Sequence, residues 1–267
     1  MKAYLSLIRI RFLNGLQYRT AALAGIATQF AWGALEILLF VALHSTNTDT
    51  FPMEMSALSS YVWLQQAFLA LFAPWMADNE LFQMVVTGNV AYELCRPLDL
   101  YRHWFCRTLA LRLSRTVLRC LPILLVAALL PAPYGLSLPA SPLAGLLFVL
   151  SALLGALVVA SYNMLIYASA FYTTNANGMR AILSSLSDLL AGGLIPLPFF
   201  PDAIRPIVEL LPFAAMGNTP YRIYGGDIAG PDAVQALALQ LFWLIAMTLL
   251  GQWMIRHAMR RVAVQGG

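Results

Sequence analysis

The stretch VTGNVAYELCRPLDL, residues 86–100, places Asn89, Glu93, Arg96 and Asp99 around Gly88 and Pro97 in an otherwise oily chain. Such a mixture suits ion pairing and docking better than bond chemistry. The groups that catalysis needs are thinly spread. His44, His103 and His257 are scattered, and no G-x-S-x-G elbow is present. There is no G-x-x-x-x-G-K-[ST] phosphate cradle, and the only lysine is Lys2, so a Walker-type nucleotide site is excluded. Cys95, Cys106 and Cys120 lack CxxC spacing and indicate neither a disulfide framework nor a zinc site. We therefore expect no catalytic residue, no metal and no cofactor on this chain.

The remaining polar candidates lie within apolar segments. Charges there usually face protein or water and mark function by default. They are Glu36 and Asp188, with Gln65, Gln66 and Asn163 adding neutral polarity. Asp188 suits either an inter-helix or subunit-interface hydrogen bond or the lining of a pathway. Glu36 suits either a pathway or a side chain reaching outward to water. Arg115 and Arg119 are expected to reach back to lipid headgroups.

The elements that position these residues follow from composition. The 267 residues are 60% hydrophobic and 10% charged, with mean hydropathy +0.73. Soluble domains carry about 25% charged residues, so the solvent here is partly lipid. The net charge of +4 and pI of about 9.1 need no nucleic acid, because charge placement accounts for them. A hydrocarbon core of ~30 Å takes about 20 apolar helical residues. Six segments qualify: about 20–43, 57–77, 114–132, 143–171, 180–198 and 233–255. They form a single membrane domain over 1–267, all-α, with both termini on one side.

Lysine and arginine then orient the spans. Of the 16, fourteen fall on one side: Lys2, Arg9, Arg11 and Arg19; Arg96, Arg102, Arg107, Arg112, Arg115 and Arg119; Arg180; and Arg256, Arg260 and Arg261. The other side has Arg205 and Arg222 beside Asp49, Glu54, Asp202, Glu209, Asp227 and Asp232. Termini and polar insert are thus expected in the cytoplasm. Residues 1–19, with Lys2, Ser6 and Arg9 recurring at helical spacing, read as an interfacial helix, or as a basic flank that only orients the first span.

The insert, 78–113, reads as helix, turn at Gly88, short helix, and a break before Pro97. A second basic helix, about 101–113, then leads to the third span. It is either a docking surface or an amphipathic connector. On the far side, Pro196, Pro198 and Pro201 are expected to end the fifth span, and 202–211 to form a short amphipathic helix. With Phe199 and Phe200 these residues open a segment, 199–231, that either dips back into the outer leaflet or is an ordinary loop. Ala152, Ala156 and Ala160 make a small-residue stripe for close packing.

Three stretches carry a resemblance: YVWLQQAF at 61–68, VTGNVAYELCRPLDL at 86–100, and PLPFFPDAIRPIVELLPF with TPYRIYGGD within 196–227. The chain resembles the permeases of ATP-binding cassette exporters of the ABC-2 type. The resemblance implies a cytoplasmic coupling helix holding Gly88, Asn89, Glu93, Arg96 and Pro97, seated on a separate ATPase subunit. It also implies outer re-entrant helices, a pair of ATPases carrying ATP and Mg, and a second permease, identical or homologous. The protein would then be a multi-pass exporter subunit of the bacterial inner membrane. A secondary transporter driven by an ion gradient, or a non-transporting scaffold, is the alternative.

Overall fold

The computed structural model describes residues 2–46 and 51–260; Asp49 and Arg261 lie outside them. The described residues are helical, with no strand. In chain order the helices are α1 (Lys2–Gly15), α2 (Arg19–Thr46), α3 (Met55–Ala67), α4 (Leu69–Phe72), α5 (Asn79–Val86) and α6 (Val90–Leu94). They continue with α7 (Leu100–Leu129), α8 (Pro142–Ser169), α9 (Ala176–Leu190), α10 (Arg205–Leu210), α11 (Asn218–Gly225) and α12 (Gly230–Met259).

Helix α8 is the axis of the bundle. Ser141 caps it by accepting from the Ala144 N–H at 3.0 Å, and Pro142 supplies a preset first turn. At 1.5 Å per residue its 28 residues span roughly 42 Å. Ala152, Ala156 and Ala160 are all buried, and the absent side chain of Gly155 admits the Met216 carbonyl and the Phe72 ring. Two polar links hold its first half. Ser151 Oγ donates to Gln240 Oε1 of α12 at 3.0 Å, and Gln240 Nε2 donates back to the Ser151 carbonyl at 3.1 Å. Near its other end, Tyr167 is fully buried against Trp104 of α7.

Among the described residues, three helices are long and apolar enough to cross a bilayer by length and composition: Arg19–Ser45, Pro142–Ser169 and Gly230–Met259. Leu35, Leu38 and Leu39 on α2, and Phe242, Ile245 and Leu249 on α12, are exposed. An apolar surface of that extent is covered by lipid or by another chain rather than by water.

Two boundaries differ from expectation. The fifth apolar segment does not run to the prolines. Helix α9 starts earlier, at Ala176, and stops at Leu190, where Gly192 takes φ +75°. The Gly192 N–H bonds Leu189 O at 3.3 Å and the Gly193 N–H bonds Asp188 O at 3.0 Å. That paired pattern closes a helix at a left-handed glycine, and it acts before Pro196 can. Asp188 therefore sits in the last turn of α9, not mid-segment. The second difference is α7. The basic helix at 101–113 and the third apolar segment are one helix of 30 residues.

Candidate functional site

Helix α5 is fixed by Asp78. Its carboxylate caps the helix, accepting from the Glu80 and Leu81 N–H groups at 3.0 and 3.4 Å. The same carboxylate accepts from Arg107 Nε of α7 at 2.8 Å, while the Asp78 N–H donates to the Tyr167 hydroxyl of α8 at 2.6 Å. Arg107 also pairs with Glu80. One residue thus ties the first turn of α5 to two long helices. Leu81, Phe82 and Val85 bury the apolar face of α5, and the Arg180 guanidinium lies over the Phe82 ring, 4.8 Å from its centroid.

Gly88 then turns the chain at φ +77°, with open space around it. A side chain at that φ is strained even without a neighbour. Helix α6 follows and buries Val90 and Glu93. Glu93 Oε2 lies 2.8 Å from His103 Nδ1 on α7, and Glu93 Oε1 is 3.7 Å from Arg96. Burial lowers the His103 pKa, and Arg96, Arg107 and Arg11 add to that against the opposing pull of Glu93. Glu93 is 7% exposed, so it holds α6 from beneath. Asn89, Arg96 and Pro97 are on the exposed side with Val86, Leu94 and Tyr92, which is 75% exposed. The break at Pro97 separates α6 from α7, whose N-cap is Asp99, accepting from the Arg102 N–H at 2.9 Å. The Asp99 N–H donates to the Tyr4 hydroxyl of α1 at 3.2 Å.

A second polar centre was not singled out from the sequence. Helix α3 ends at Ala67, α4 at Phe72, and Pro74 prevents continuation, which leaves the last carbonyls without helical donors. Arg112 of α7 fills that role. Its Nη1 donates to the carbonyls of Ala70, Leu71 and Ala73 at 3.3, 2.9 and 3.1 Å, and Nη2 to Ala73 at 3.1 Å. With the side-chain amide oriented to satisfy its neighbours, Asn163 accepts from Arg112 Nη2 at 2.6 Å and donates to the Pro74 carbonyl at 3.2 Å. Arg112 is 1% exposed. Counted among the charges that orient the spans, it is a buried helix cap instead. A guanidinium has five donors and suits a cluster of carbonyls at a negative helix end. The one available signal was Pro74 following the apolar run of α3 and α4.

The other interior candidates lie nearby, in two groups. Gln65 Nε2 donates to the Gly193 carbonyl, and Gln65 lines a cavity of about 30 Å³ with Asp188, Pro74 and Tyr221. That volume holds a water or two. The Tyr61 hydroxyl donates to Asn218 Oδ1 at 3.2 Å. Gln66 and Glu36 form a separate long contact, Nε2 to Oε2 at 3.4 Å. At the proline-rich end Pro196 and Pro198 are buried, Pro201 is exposed, and residues 197–199 form a 3-10 turn. The Phe199 ring packs on Phe40 of α2 at 4.9 Å, and Phe200 packs beside Leu197, Val208 and Ala214. The expected short helix is Arg205–Leu210. Arg222 of α11 pairs with Glu209 and Asp227.

Long apolar helices and lipid-scale apolar exposure define a multi-pass membrane protein. The family model described as ABC-2 family transporter protein matches residues 30–266, and the chain belongs to that family. Its members are membrane subunits of transporters, generally not catalytic themselves, and the chain matches an ABC-2 type permease. No curated protein matches the chain well enough to count as a relative.

Proposed function

We propose that this chain is the permease subunit of an ATP-driven exporter in the bacterial inner membrane, coupled to a separate ATPase that carries ATP and Mg. The observation that carries the reading is the α5–Gly88–α6 unit. One face is bonded to α7 and α8 through Asp78 and Glu93, and the other presents Asn89, Tyr92, Leu94 and Arg96 to a partner. Six spans are α2, α3 with α4, α7 from about 114 onward, α8, α9 continued by the turns to Pro198, and α12, with both termini cytoplasmic, as the fourteen-to-two charge layout favours. Helix α1 lies along the inner interface. Residues 199–231 dip into the outer leaflet without crossing it. A second permease, identical or homologous, covers the apolar faces that one chain leaves open.

In this mechanism, nucleotide-driven closure of two ATPases pushes α5 and α6. The motion passes through Asp78 to Arg107 and Tyr167, so α7 and α8 move as bodies between discrete states. Purification in mild detergent, with mass spectrometry and vanadate-sensitive ATP hydrolysis, tests this. A stoichiometric partner with a Walker-type loop is expected; hydrolysis-free, partner-free protein overturns it. Gly88→Pro forces φ near −65° where +77° is needed. It lowers transport-linked hydrolysis while membrane insertion persists, and normal turnover would move the coupling element elsewhere.

The interruption between α3 and α4 at Phe68 favours one other reading, since gradient-driven carriers build sites at broken helices. Flux that continues after the proton gradient is dissipated at constant ATP excludes it.

A further inference from the structure

Between α1, the start of α2 and the middle of α7 lies a hollow of about 610 Å³. Four arginines line it, Arg11, Arg107, Arg115 and Arg119, against two carboxylates, Asp78 and Glu80. Arg107 takes both carboxylates. Arg11, Arg115 and Arg119 have no carboxylate partner among the described residues. Arg119 lies across Gly25 of α2, so close that a methyl group there would collide with its guanidinium. Arg115 and Arg119 are also one turn apart on α7, and like charges at that spacing repel.

Beyond the polar Asn14 and Tyr18, the remaining walls are not those of a water-filled ion site. Ala21, Ala22, Leu111 and Leu118 are apolar, and Trp75 is 45% exposed at the rim. Tryptophan is enriched where headgroups meet hydrocarbon. An occupant that satisfies both surfaces has an anionic head and an apolar tail.

We infer that this hollow binds an anionic phospholipid, with its phosphate held by Arg115, Arg119 and Arg11 and its acyl chains against the α2–α7 wall. A free phosphate would satisfy the arginines and leave the apolar wall bare. The inference rests on the membrane placement proposed above and not on ATPase coupling. Helix α1 becomes one wall of a lipid site, and lipid composition sets how α1 sits on α7.

The test is native mass spectrometry of the purified chain in neutral detergent, titrated with phosphatidylglycerol and, separately, phosphatidylcholine. Wild type is expected to retain one phosphatidylglycerol about tenfold more tightly than phosphatidylcholine, the worth of one charge-assisted contact. R115Q/R119Q should abolish the preference. R256Q/R260Q removes the same charge from exposed positions on α12 and just beyond it, and should keep the preference. Equal binding of the two lipids by wild type, which needs no variant, overturns the inference. So does an equal loss in R256Q/R260Q, which would mark a general surface attraction. Displacement by glycerol 3-phosphate at lipid-like concentrations would make the site one for free phosphate esters and overturn the lipid assignment. Any of these results with the ATPase still co-purifying sinks this inference and leaves the proposed function standing.

Discussion

Arg107 at the insert end and Arg222 at the proline-rich end each sit between two carboxylates, yet they join very different lengths of chain. Arg107 reaches Asp78 and Glu80 across 29 and 27 residues. Arg222 reaches Glu209 and Asp227 across 13 and 5. Arg107 also leans on Asp78, whose carboxylate caps one helix and whose backbone N–H donates to another. The first cluster therefore joins elements far apart in the chain, while the second staples a local fold. Asp78 and Arg107 thus bond α5 to α7 and α8, whereas the ion pairs of Arg222 tie α11 only to α10 and the turn that follows α11.

The comparison breaks most visibly at Arg107. Arg107→Met leaves the Asp78 carboxylate buried without its cation, which costs about 3–5 kcal/mol; thermal unfolding in detergent reads it. Arg222→Met should cost less, about 1–2 kcal/mol, because its carboxylates are about one-third exposed and water screens them. An equal drop for both would refute the distinction between long-range and local clusters. Glu80→Gln sharpens it further. That side chain is 67% exposed, so under about 1 kcal/mol is expected, and a larger loss would transfer the role of Asp78 to Glu80. The gentlest probe is pH. His103 titrates below its free value of about 6.5. The unfolded chain then binds the proton first, so stability is present above about 6.5 and is lost as pH falls from there towards the folded value. His103→Gln should flatten that slope in melting curves; an unchanged slope would assign it to carboxylates.

Much of the insert was legible because its signals are local. Gly88 announces the turn, which the chain makes at φ +77°, and Pro97 forbids helix at Arg96. The short helix after the prolines followed from the same logic, with Arg205–Leu210 inside the expected 202–211. The fate of Arg112 was not legible. Its neighbours Arg107, Arg115 and Arg119 look alike in sequence, and only the carbonyls of Ala70, Leu71 and Ala73, forty residues upstream, single it out. The end of α9 was misplaced for a related reason. Three prolines at 196–201 are strong punctuation, and the quieter Gly192–Gly193 pair stops the helix first. Glu93 showed its position but not its direction, since the turn of α6 towards His103 depends on how α7 lies beside it.

The Arg112 cap bears on how the chain is made. In the proposed six-span layout α7 carries Arg112, Arg115 and Arg119 in eight residues at the inner end of the third span, and an arginine carried on to the bilayer centre costs about 2.5–3.5 kcal/mol. Synthesis runs from the N-terminus, so the carbonyls of Ala70, Leu71 and Ala73 leave the ribosome before the guanidinium that needs them. Asn163 follows about fifty residues later and completes the set. On that layout α7 would meet its acceptors as it enters, and its place in the order of translation would make a poorly hydrophobic segment insertable.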